Sequence, residues 1–421
     1  MSHFSILRTV TVLVFLTLGT INTASAWFRL PCTDPLVQER IDPIISPGKI
    51  PSQHVHTVHG ASNFAANSTF DTLRASKCTS CQVSQDLSNY WFPKLYFRDP
   101  KTKMFEAVSN GGELYIRTHR LEILFIYVKG LLIYYQNRGS LDKINGGPGL
   151  KAFPPGFRMI TGNPVKRTKV YPDGLGTQEE LGERAIAWAC LRYTTSNADY
   201  YGTGSFPHTD CEVRHAAWFH PSLLVSKVVF ISPRAGTARQ NVDSPDHKSH
   251  VAYLSILDNG SCPSTHPVGL MKLFYEITWN IHDFTGRWQE SDGWPFVWVN
   301  SLSIRKKNFP DLFHPHRLLE TQLVIPGTVI SKTDGTLIHP GSVLQKAIDN
   351  CNNPNDDTIN GVISACPYFN LIDPAKAVTC KTNPVVNEPV SGSPMAKLPG
   401  CNPIQTGPGD ATLYNEANCP I

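Results

Sequence analysis

The sequence lacks the marks of a nucleic-acid-binding protein and of a zinc enzyme. Its 421 residues contain 38 Lys and Arg against 34 Asp and Glu, for a formal net charge of +4, and no basic stripe. A nucleic-acid partner is therefore not expected. No H-E-x-x-H motif occurs, and no matching pair of cysteines or histidines stands at zinc-finger spacing from Cys78 and Cys81.

Long hydrophobic runs are also scarce. The run Thr11–Gly19 is too short to span a bilayer. It follows Arg8 and precedes the small residues Ala24–Ala26, a combination that is typical of a cleaved secretory signal peptide. We therefore expect residues 1–26 to be removed and the mature, secreted chain to begin near Trp27. No apolar C-terminal tail is present, so we expect no membrane anchor. We also expect the protein to be a monomer.

Cysteine is frequent by comparison, with 11 residues. Disulfides form and persist in secreted proteins, so we expect the C-x-x-C pair Cys78 and Cys81 to be oxidised rather than to bind zinc. The odd total leaves one thiol unpaired. Asn67 and Asn259 begin N-glycosylation acceptor tripeptides, which agree with secretion.

Helical patterning is limited to two segments, Glu179–Leu191 and Gly341–Cys351. Elsewhere short apolar runs recur between turn residues, and side chains in Leu273–Ile281 alternate with a period of two. The pattern predicts a mainly β fold, an antiparallel β-sandwich of jelly-roll-like form with long loops and a few short helices. We expect one β-rich domain over residues 27–370 and a Pro- and Cys-containing tail over residues 371–421.

Histidines are concentrated in Ser52–Gly60, where His54, His56 and His59 occupy three of nine positions. On a strand, His54 and His56 point to the same face. Polar residues so dense on a strand rarely serve packing, which favours a functional site. The alternative is that each histidine makes an ordinary structural hydrogen bond.

Two further polar clusters follow in the chain. Asp243–His250 combines two carboxylates with two imidazoles, and His266 precedes the strand that bears Glu276. A positioned imidazole can move a proton to or from a sugar because it titrates near neutrality. Imidazole with carboxylate also suits Zn, Mn or Cu. We predict that the histidines of Ser52–Gly60 and the residues of Asp243–His250 face one shared pocket.

Several long motifs carry a family resemblance. They are FRLPC, VQERIDPIISPGKIPSQHVHTVHG, CTSCQVSQDLSNYW, AFPPGFRMITGNP, DSPDHKSHVAY, CPSTHPVGLMKLFYEITW and WPFVWVN, spread between Phe28 and Cys366. Together they resemble a secreted fungal family catalogued as a domain of unknown function, DUF1996, whose members are sometimes fused to WSC-type carbohydrate-binding modules. The resemblance implies an extracellular fungal protein acting at or near polysaccharide, and it supplies no reaction.

Three segments depart from the family pattern, namely residues 115–130, 223–240 and 301–340. They interrupt motifs that otherwise join smoothly, and the apolar stretch LEILFIYVKGLLIYY would be exposed if it looped out. We interpret these segments as untranslated or misframed gene sequence that is foreign to the fold. The alternative is genuine loop variation, and the sequence of the transcript would decide between the two.

The leading functional hypothesis is a polysaccharide-degrading hydrolase or lyase. The candidate catalytic residues are His54, His56, Asp246, His247, His250 and Glu276. The candidate substrate-binding residues are Tyr134, Arg138, Arg158, Trp294 and His266. A glycosidase would use two carboxylates that flank the scissile bond, here Asp246 and Glu276. A lyase would use a His or Tyr base and an arginine that neutralises the uronate.

Two alternatives remain open at this point. The first is a non-catalytic cell-wall or carbohydrate-binding protein, in which tryptophans stack on sugar rings. These tryptophans are Trp279, Trp288, Trp294 and Trp298. The second is a metalloprotein in which His54 and His56 bind a divalent metal with a third ligand from His247, His250 or His266. The sequence names no other cofactor, and the expected partner is a polysaccharide or cell-wall glycan.

Overall fold

The structure of the protein is a computed structural model. It describes residues 28–110, 112–117, 123–128, 130–167, 169–190, 226–231, 235–236, 242–293, 295–298, 321–324, 342–351, 362–405 and 409–420. The predicted signal peptide, Trp294 and parts of the three atypical segments lie outside these residues.

The described residues form 18 strands, numbered β1 to β18 in chain order. They are Phe28–Cys32, Val37–Glu39, His56–Gly60, Asn89–Pro93, Leu95–Arg98, Phe105–Ala107, Gly112–Arg117, Ile123–Val128, Leu131–Gln136, Arg158–Thr161, Ile186–Cys190, Ser226–Ile231, Ala235–Gly236, Val251–Ala252, Val268–Gly269, Lys272–Trp279, Phe296–Trp298 and Thr321–Val324.

The described helices are short. The α-helices, α1 to α4, are Phe70–Arg74, Gln178–Arg184, Val343–Asn350 and Pro374–Ala377, and the 3₁₀ helices are Lys143–Asn145, Ile281–Phe284, Glu290–Asp292 and Ile363–Ala365. Each α-helix begins after a side chain that accepts a backbone N–H bond from its first turn. These capping residues are Thr69, Thr177, Ser342 and Asp373.

Two five-stranded sheets dominate the fold. Sheet A has the strand order β1-β9-β16-β12-β11, and sheet B has the order β10-β18-β4-β3-β2. Smaller sheets have the orders β14-β13-β15, β17-β5-β6 and β7-β8. The strand pairs within these sheets are antiparallel. The prediction of a mainly β, antiparallel fold with a few short helices is confirmed.

Side chains of sheets A and B meet in a shared core. In β16 the residues Leu273, Tyr275, Ile277 and Trp279 are buried, while Phe274, Glu276 and Thr278 between them are only half-buried. The ring of Trp279 contacts that of Phe92 from sheet B edge to face, with centroids 5.6 Å apart. This face-to-face packing is consistent with the predicted β-sandwich.

One of the two predicted helices is confirmed and the other is only half right. Helix α3 lies within Gly341–Cys351 and buries Leu344, Ala347 and Ile348. Within Glu179–Leu191, helix α2 ends at Arg184, and Ile186–Cys190 forms strand β11 against β12. The physical reason is that pairing with a neighbouring strand outweighs the weak helical preference of this segment.

The disulfides agree with an oxidising compartment. The bonded pairs are Cys32–Cys81, Cys78–Cys380, Cys351–Cys366 and Cys401–Cys419. The two cysteines of the C-x-x-C motif therefore bond to different partners. Cys262 lies outside these four disulfides. Asn67 and Asn259 are exposed, as a glycosylation acceptor must be.

The C-terminal tail folds back onto the β-rich part of the chain. The Cys78–Cys380 disulfide holds its beginning, and Glu39 accepts bonds from the backbone of Val385 and Val386. Further along, the backbone of Met395 pairs with that of Phe105. These contacts cover the end of sheet B that carries His54 and His56.

The described parts of the atypical segments pair within the sheets. Strand β12 lies between β16 and β11 in sheet A, and β18 lies between β10 and β4 in sheet B. Strands β7 and β8 form a hairpin of their own. The expectation that the three segments are foreign to the fold stays a prediction, because most of their residues lie outside the described part of the chain. Whether the transcript contains them stays a question for sequencing.

Candidate functional site

The three clustered histidines are all buried. The exposed fractions are 6% for His54, 2% for His56 and 0% for His59. His54 lies just before β3, and its ring is perpendicular to that of His56 with centroids 6.2 Å apart. His59 instead stacks on Phe92, toward the core between the sheets. The three histidines therefore divide between two sides of sheet B.

Burial keeps these imidazoles neutral. It lowers the pKa of His54 to about 3, and His56, Arg167 and Arg40 lower it further by charge repulsion. Burial likewise lowers the pKa of His59 to about 3, with a smaller effect from Lys381. A group that stays neutral across the physiological range is poorly suited to cycle a proton. Burial therefore favours the neutral form of both His54 and His59.

The Asp243–His250 loop is fixed to the edge strand β10 of sheet B. The backbone N–H of Arg158 donates to the carbonyl of Val242 over 2.8 Å, and that of Ile160 donates to His247 over 3.1 Å. His247 has a φ of 54°, in the left-handed region that residues other than glycine rarely adopt. Such backbone conformations cluster at functional sites. The loop thus presents His247 in an unusual and fixed conformation.

Asp243 and His247 form a hydrogen-bonded pair at the protein surface. Nδ1 of His247 lies 2.6 Å from Oδ1 of Asp243, and their side chains are 18% and 27% exposed. The carboxylate oxygen accepts, so Nδ1 of His247 is the donor of this hydrogen bond and Nε2 lies on the opposite side of the ring. This is how a carboxylate orients an imidazole for general-base catalysis. The pair thus combines a fixed ring orientation with partial access to solvent.

Asp246 accepts several hydrogen bonds from its own loop. Its Oδ1 accepts bonds from the hydroxyls of Ser244 and Ser249 and from the backbone of Lys248 and Ser249. Partial burial raises the pKa of this carboxyl, but the hydrogen bonds outweigh that effect and leave the pKa well below its usual value. The hydrogen bonds therefore favour the ionised form of the Asp246 carboxyl.

His250 also has a structural role. It is 1% exposed, Nδ1 lies 2.9 Å from the Ser244 hydroxyl, and the ring lies edge to face with Phe157. Burial lowers its pKa, although the Arg158 carbonyl and nearby carboxylates oppose the shift. His266 supports the same loop, since its Nε2 lies 3.1 Å from the carbonyl of Ser249.

The other predicted site residues lie apart from this loop. Glu276 and Tyr134 are on β16 and β9 of sheet A, and Arg138 follows β9, with Nε 3.9 Å from Asp258. The structure therefore brings Arg158 and His266 to the Asp243–His250 loop and places Glu276, Tyr134 and Arg138 on the opposite sheet. The pair of carboxylates considered for a glycosidase, Asp246 and Glu276, is divided between the two sheets.

The predicted pocket shared by the two histidine clusters stays a prediction. His56 is on β3 and the Asp243–His250 loop is attached to β10, with β18 and β4 between them. Three steps between neighbouring strands correspond to about 14 Å. Segment 162–167 connects the two regions, because Gly162 accepts a bond from Lys248 while Arg167 lies within electrostatic range of His54.

Neither the metal hypothesis nor the aromatic strip finds support in the described residues. Within them, no group of three or more His, Cys, Asp or Glu side chains is placed to hold a metal ion. Trp279 and Trp298 are 0% and 3% exposed, and their rings contact each other in the core. These two tryptophans pack the interior and are closed to a sugar ring.

The sequence analysis did not identify the Asp243–His247 pair, nor the two buried arginines near His54. Asp243 was part of a recognised cluster, but its pairing with His247 was missed although the spacing of four residues was visible. Arg40 and Arg167 carried no local signal, because their surroundings come from the distant tail. Residues that depend on contacts between remote segments have no signature in a short stretch of sequence.

Together, fold and site define a disulfide-bonded, mainly β protein with an oriented imidazole on a loop at a sheet edge. Residues 42–304 match the family model described as Domain of unknown function (DUF1996), and the chain belongs to this family. No curated protein and no solved structure matches the chain. Over the described part of the chain, no helix has the length and apolar character needed to cross a bilayer.

Proposed function

We propose that the protein is a secreted enzyme that cleaves extracellular acidic polysaccharide by elimination, with His247 as the base. The observation that carries this proposal is the 2.6 Å contact between Asp243 and a partly exposed His247. The carboxylate fixes the ring, and Nε2 is directed away from it toward a substrate. Secretion is supported by the signal-like N-terminus and by the disulfides.

The choice of elimination over hydrolysis follows from the carboxylates. A glycosidase of the common type needs two carboxyl groups on either side of one bond. Here Asp246 is occupied by the loop and Glu276 lies on the other sheet. A lyase needs a base and a cation instead. The backbone of Arg158 on β10 bonds to the loop, and its Nη2 donates to the Ser68 carbonyl over 3.4 Å, a long contact that a substrate carboxylate can replace.

The reaction balances with the groups present. Nε2 of His247 takes the proton from the carbon next to the uronate carboxyl. The electrons of that C–H bond form a carbon–carbon double bond, and the glycosidic C–O bond breaks with its electrons on the leaving oxygen. That oxygen takes a proton from solvent, and His247 releases its own. Arg158 stabilises the charge that develops on the carboxylate.

The test is to incubate the secreted protein with polygalacturonate, alginate and a neutral β-glucan and to follow ultraviolet absorbance of the unsaturated product. We expect absorbance to rise with one of the two acidic polymers and to be lost in the His247→Ala variant. Asp71→Asn, at an exposed site on α1, serves as the control for surface changes. Cleavage of the neutral glucan alone, or full activity of His247→Ala, would refute the proposal.

A further inference from the structure

The C-terminal disulfide loop, residues 401–419, connects two basic parts of the molecule. On one side, Nδ2 of Asn402 donates to the carbonyl of Gln53 over 3.0 Å. On the other side, the backbone of Ala411 donates to Val165 over 2.7 Å, and Lys166 pairs with Asp410. The loop thus lies over both the segment before β3 and the segment after β10.

Beneath this loop lie three side chains of the kind that can bind an anion, Arg40, His54 and Arg167; Nη1 of Arg167 also donates to the carbonyls of Pro164 and Lys166. Arg40 and Arg167 are 6% and 3% exposed. Burial lowers the pKa of Arg167 to about 10, although Asp410 opposes the shift. His54 is 6% exposed and its Nε2 has no hydrogen-bond partner. A buried ring nitrogen without a partner is costly, and it marks a place where a ligand atom can bind.

The tail itself shows which ligand chemistry this place selects. The guanidinium of Arg40 binds the carboxylates of Glu388 and Glu416, with Nη1 2.7 Å from Oε1 of Glu416. Glu388 is 18% exposed and firmly enclosed, whereas the Glu416 side chain is 61% exposed. The Glu416 carboxylate therefore occupies Arg40 from the solvent side and can be exchanged for another.

We propose that Arg40, His54 and Arg167 form a binding site for the carboxylate of an acidic sugar, and that Glu416 is its internal competitor. A guanidinium and an imidazole N–H together recognise a carboxylate through charge-assisted hydrogen bonds. The choice of a sugar acid rests on the proposed function, while the carboxylate specificity follows from the tail contacts alone. Segment 162–167 joins this site to the His247 loop, so one acidic polysaccharide molecule can contact both the carboxylate site and His247.

The test measures equilibrium binding by calorimetry, in the full-length chain and in its His247→Ala variant. The probes are a galacturonate trisaccharide, its neutral methyl ester and sodium sulfate. We expect the acid to bind, the ester not to bind, and Glu416→Gln to strengthen binding of the acid about fivefold, as when a partly exposed ion pair stops competing. Glu179→Gln, at an exposed site on α2, should leave the affinity unchanged.

Three results would overturn the proposal: no binding in either chain, equal binding of acid and ester, or no effect of Glu416→Gln. If sulfate binds as tightly as the trisaccharide and responds in the same way to Glu416→Gln, the site binds simple anions and is not specific for a sugar acid. Arg167→Lys keeps the charge but loses the planar fork, and we expect it to weaken the acid severalfold while the melting temperature stays within a few degrees. Because His247→Ala removes the catalytic base and not this site, a failure of the proposed reaction and a failure of this proposal give different results.

Discussion

The phenol oxygens of Tyr90 and Tyr135 lie 2.7 Å apart, and each tyrosine comes from a different large sheet. Tyr90 also donates to Oδ2 of Asp86 over 2.5 Å. All three side chains are buried, and burial raises the pKa of Asp86 and of both tyrosines. The sheets are therefore joined by a polar chain inside an otherwise apolar core, and its members depend on each other.

The hydrogen bonds that join Asp86, Tyr90 and Tyr135 predict that two similar substitutions lower the free energy of unfolding by different amounts. Tyr135→Phe removes one hydrogen bond and should lower the free energy of unfolding by about 1 kcal/mol. Tyr90→Phe removes the donor to a buried carboxyl as well, and should cost about 3 kcal/mol. Urea unfolding of the two variants measures both values. Equal decreases in the free energy of unfolding for the two variants would show that the hydrogen bond from Tyr90 to Asp86 does not contribute to stability.

Acid should destabilise the protein through its buried histidines. His54 and His59 have a pKa of about 3 when folded, against 6.5 for a free imidazole. As the pH falls below 6.5, these histidines become protonated in the unfolded chain but stay neutral in the folded chain. Stability is therefore complete above pH 6.5 and falls by about 1.4 kcal/mol per pH unit for each histidine. His59→Phe should remove one such slope in urea unfolding between pH 7 and 5, and an unchanged slope would contradict the assignment.

Lys94 predicts a second rise of stability with pH, in the alkaline range. It is 3% exposed, its Nζ donates to Gln38, and burial lowers its pKa from 10.5 to about 8. Below pH 8 both states carry the proton and the folded state bears the full cost of burying the charge. Between pH 8 and 10.5 the folded state releases it first, so stability should rise by up to about 3 kcal/mol.

Lys94→Met should abolish this rise and increase stability at pH 7, because it removes a buried ammonium and keeps most of the side-chain volume. Thermal unfolding at pH 7 and pH 10 checks both statements. The exposed Lys101→Met variant is the matched control and should change neither value. A natural chain that loses stability from pH 8 to 10 would contradict the prediction.

Asp243 should act on the proposed reaction through His247 alone. Asp243→Asn keeps the shape of the side chain but removes the charge that orients the ring, so we expect kcat to fall about 10- to 100-fold with little change in KM. The comparison variant is Asp71→Asn on α1. A rise in KM at constant kcat would assign Asp243 to substrate binding instead.

Much of the local structure could be predicted because its causes are local. The period of two in Leu273–Ile281 gives a strand whose alternate residues face the core, whichever strands pair with it. The apolar spacing in Gly341–Cys351 and the cap at Ser342 give a helix for the same reason. The failure at Ile186–Cys190 shows the limit, since its strand exists only through β12.

The candidate site was less predictable. The sequence showed that Asp243–His250 combines acids and imidazoles, and the loop does hold them together. It did not show which of them would be buried. Burial shields His54 and His250 from water and leaves His247 partly accessible, and only the packing of distant strands decides this.

By itself, the sequence determined the strand-forming pattern, the number of thiols available for bonding and the positions where polar groups collect, because these depend on neighbouring residues. The tertiary structure alone decided which strands are neighbours, which histidines lose contact with water, and that Arg40 binds Glu388 and Glu416 from the far end of the chain. Desolvation and charge pairing are set by distances in space, and segments more than 300 residues apart, such as those of Arg40 and Glu388, come together only when the whole chain has folded.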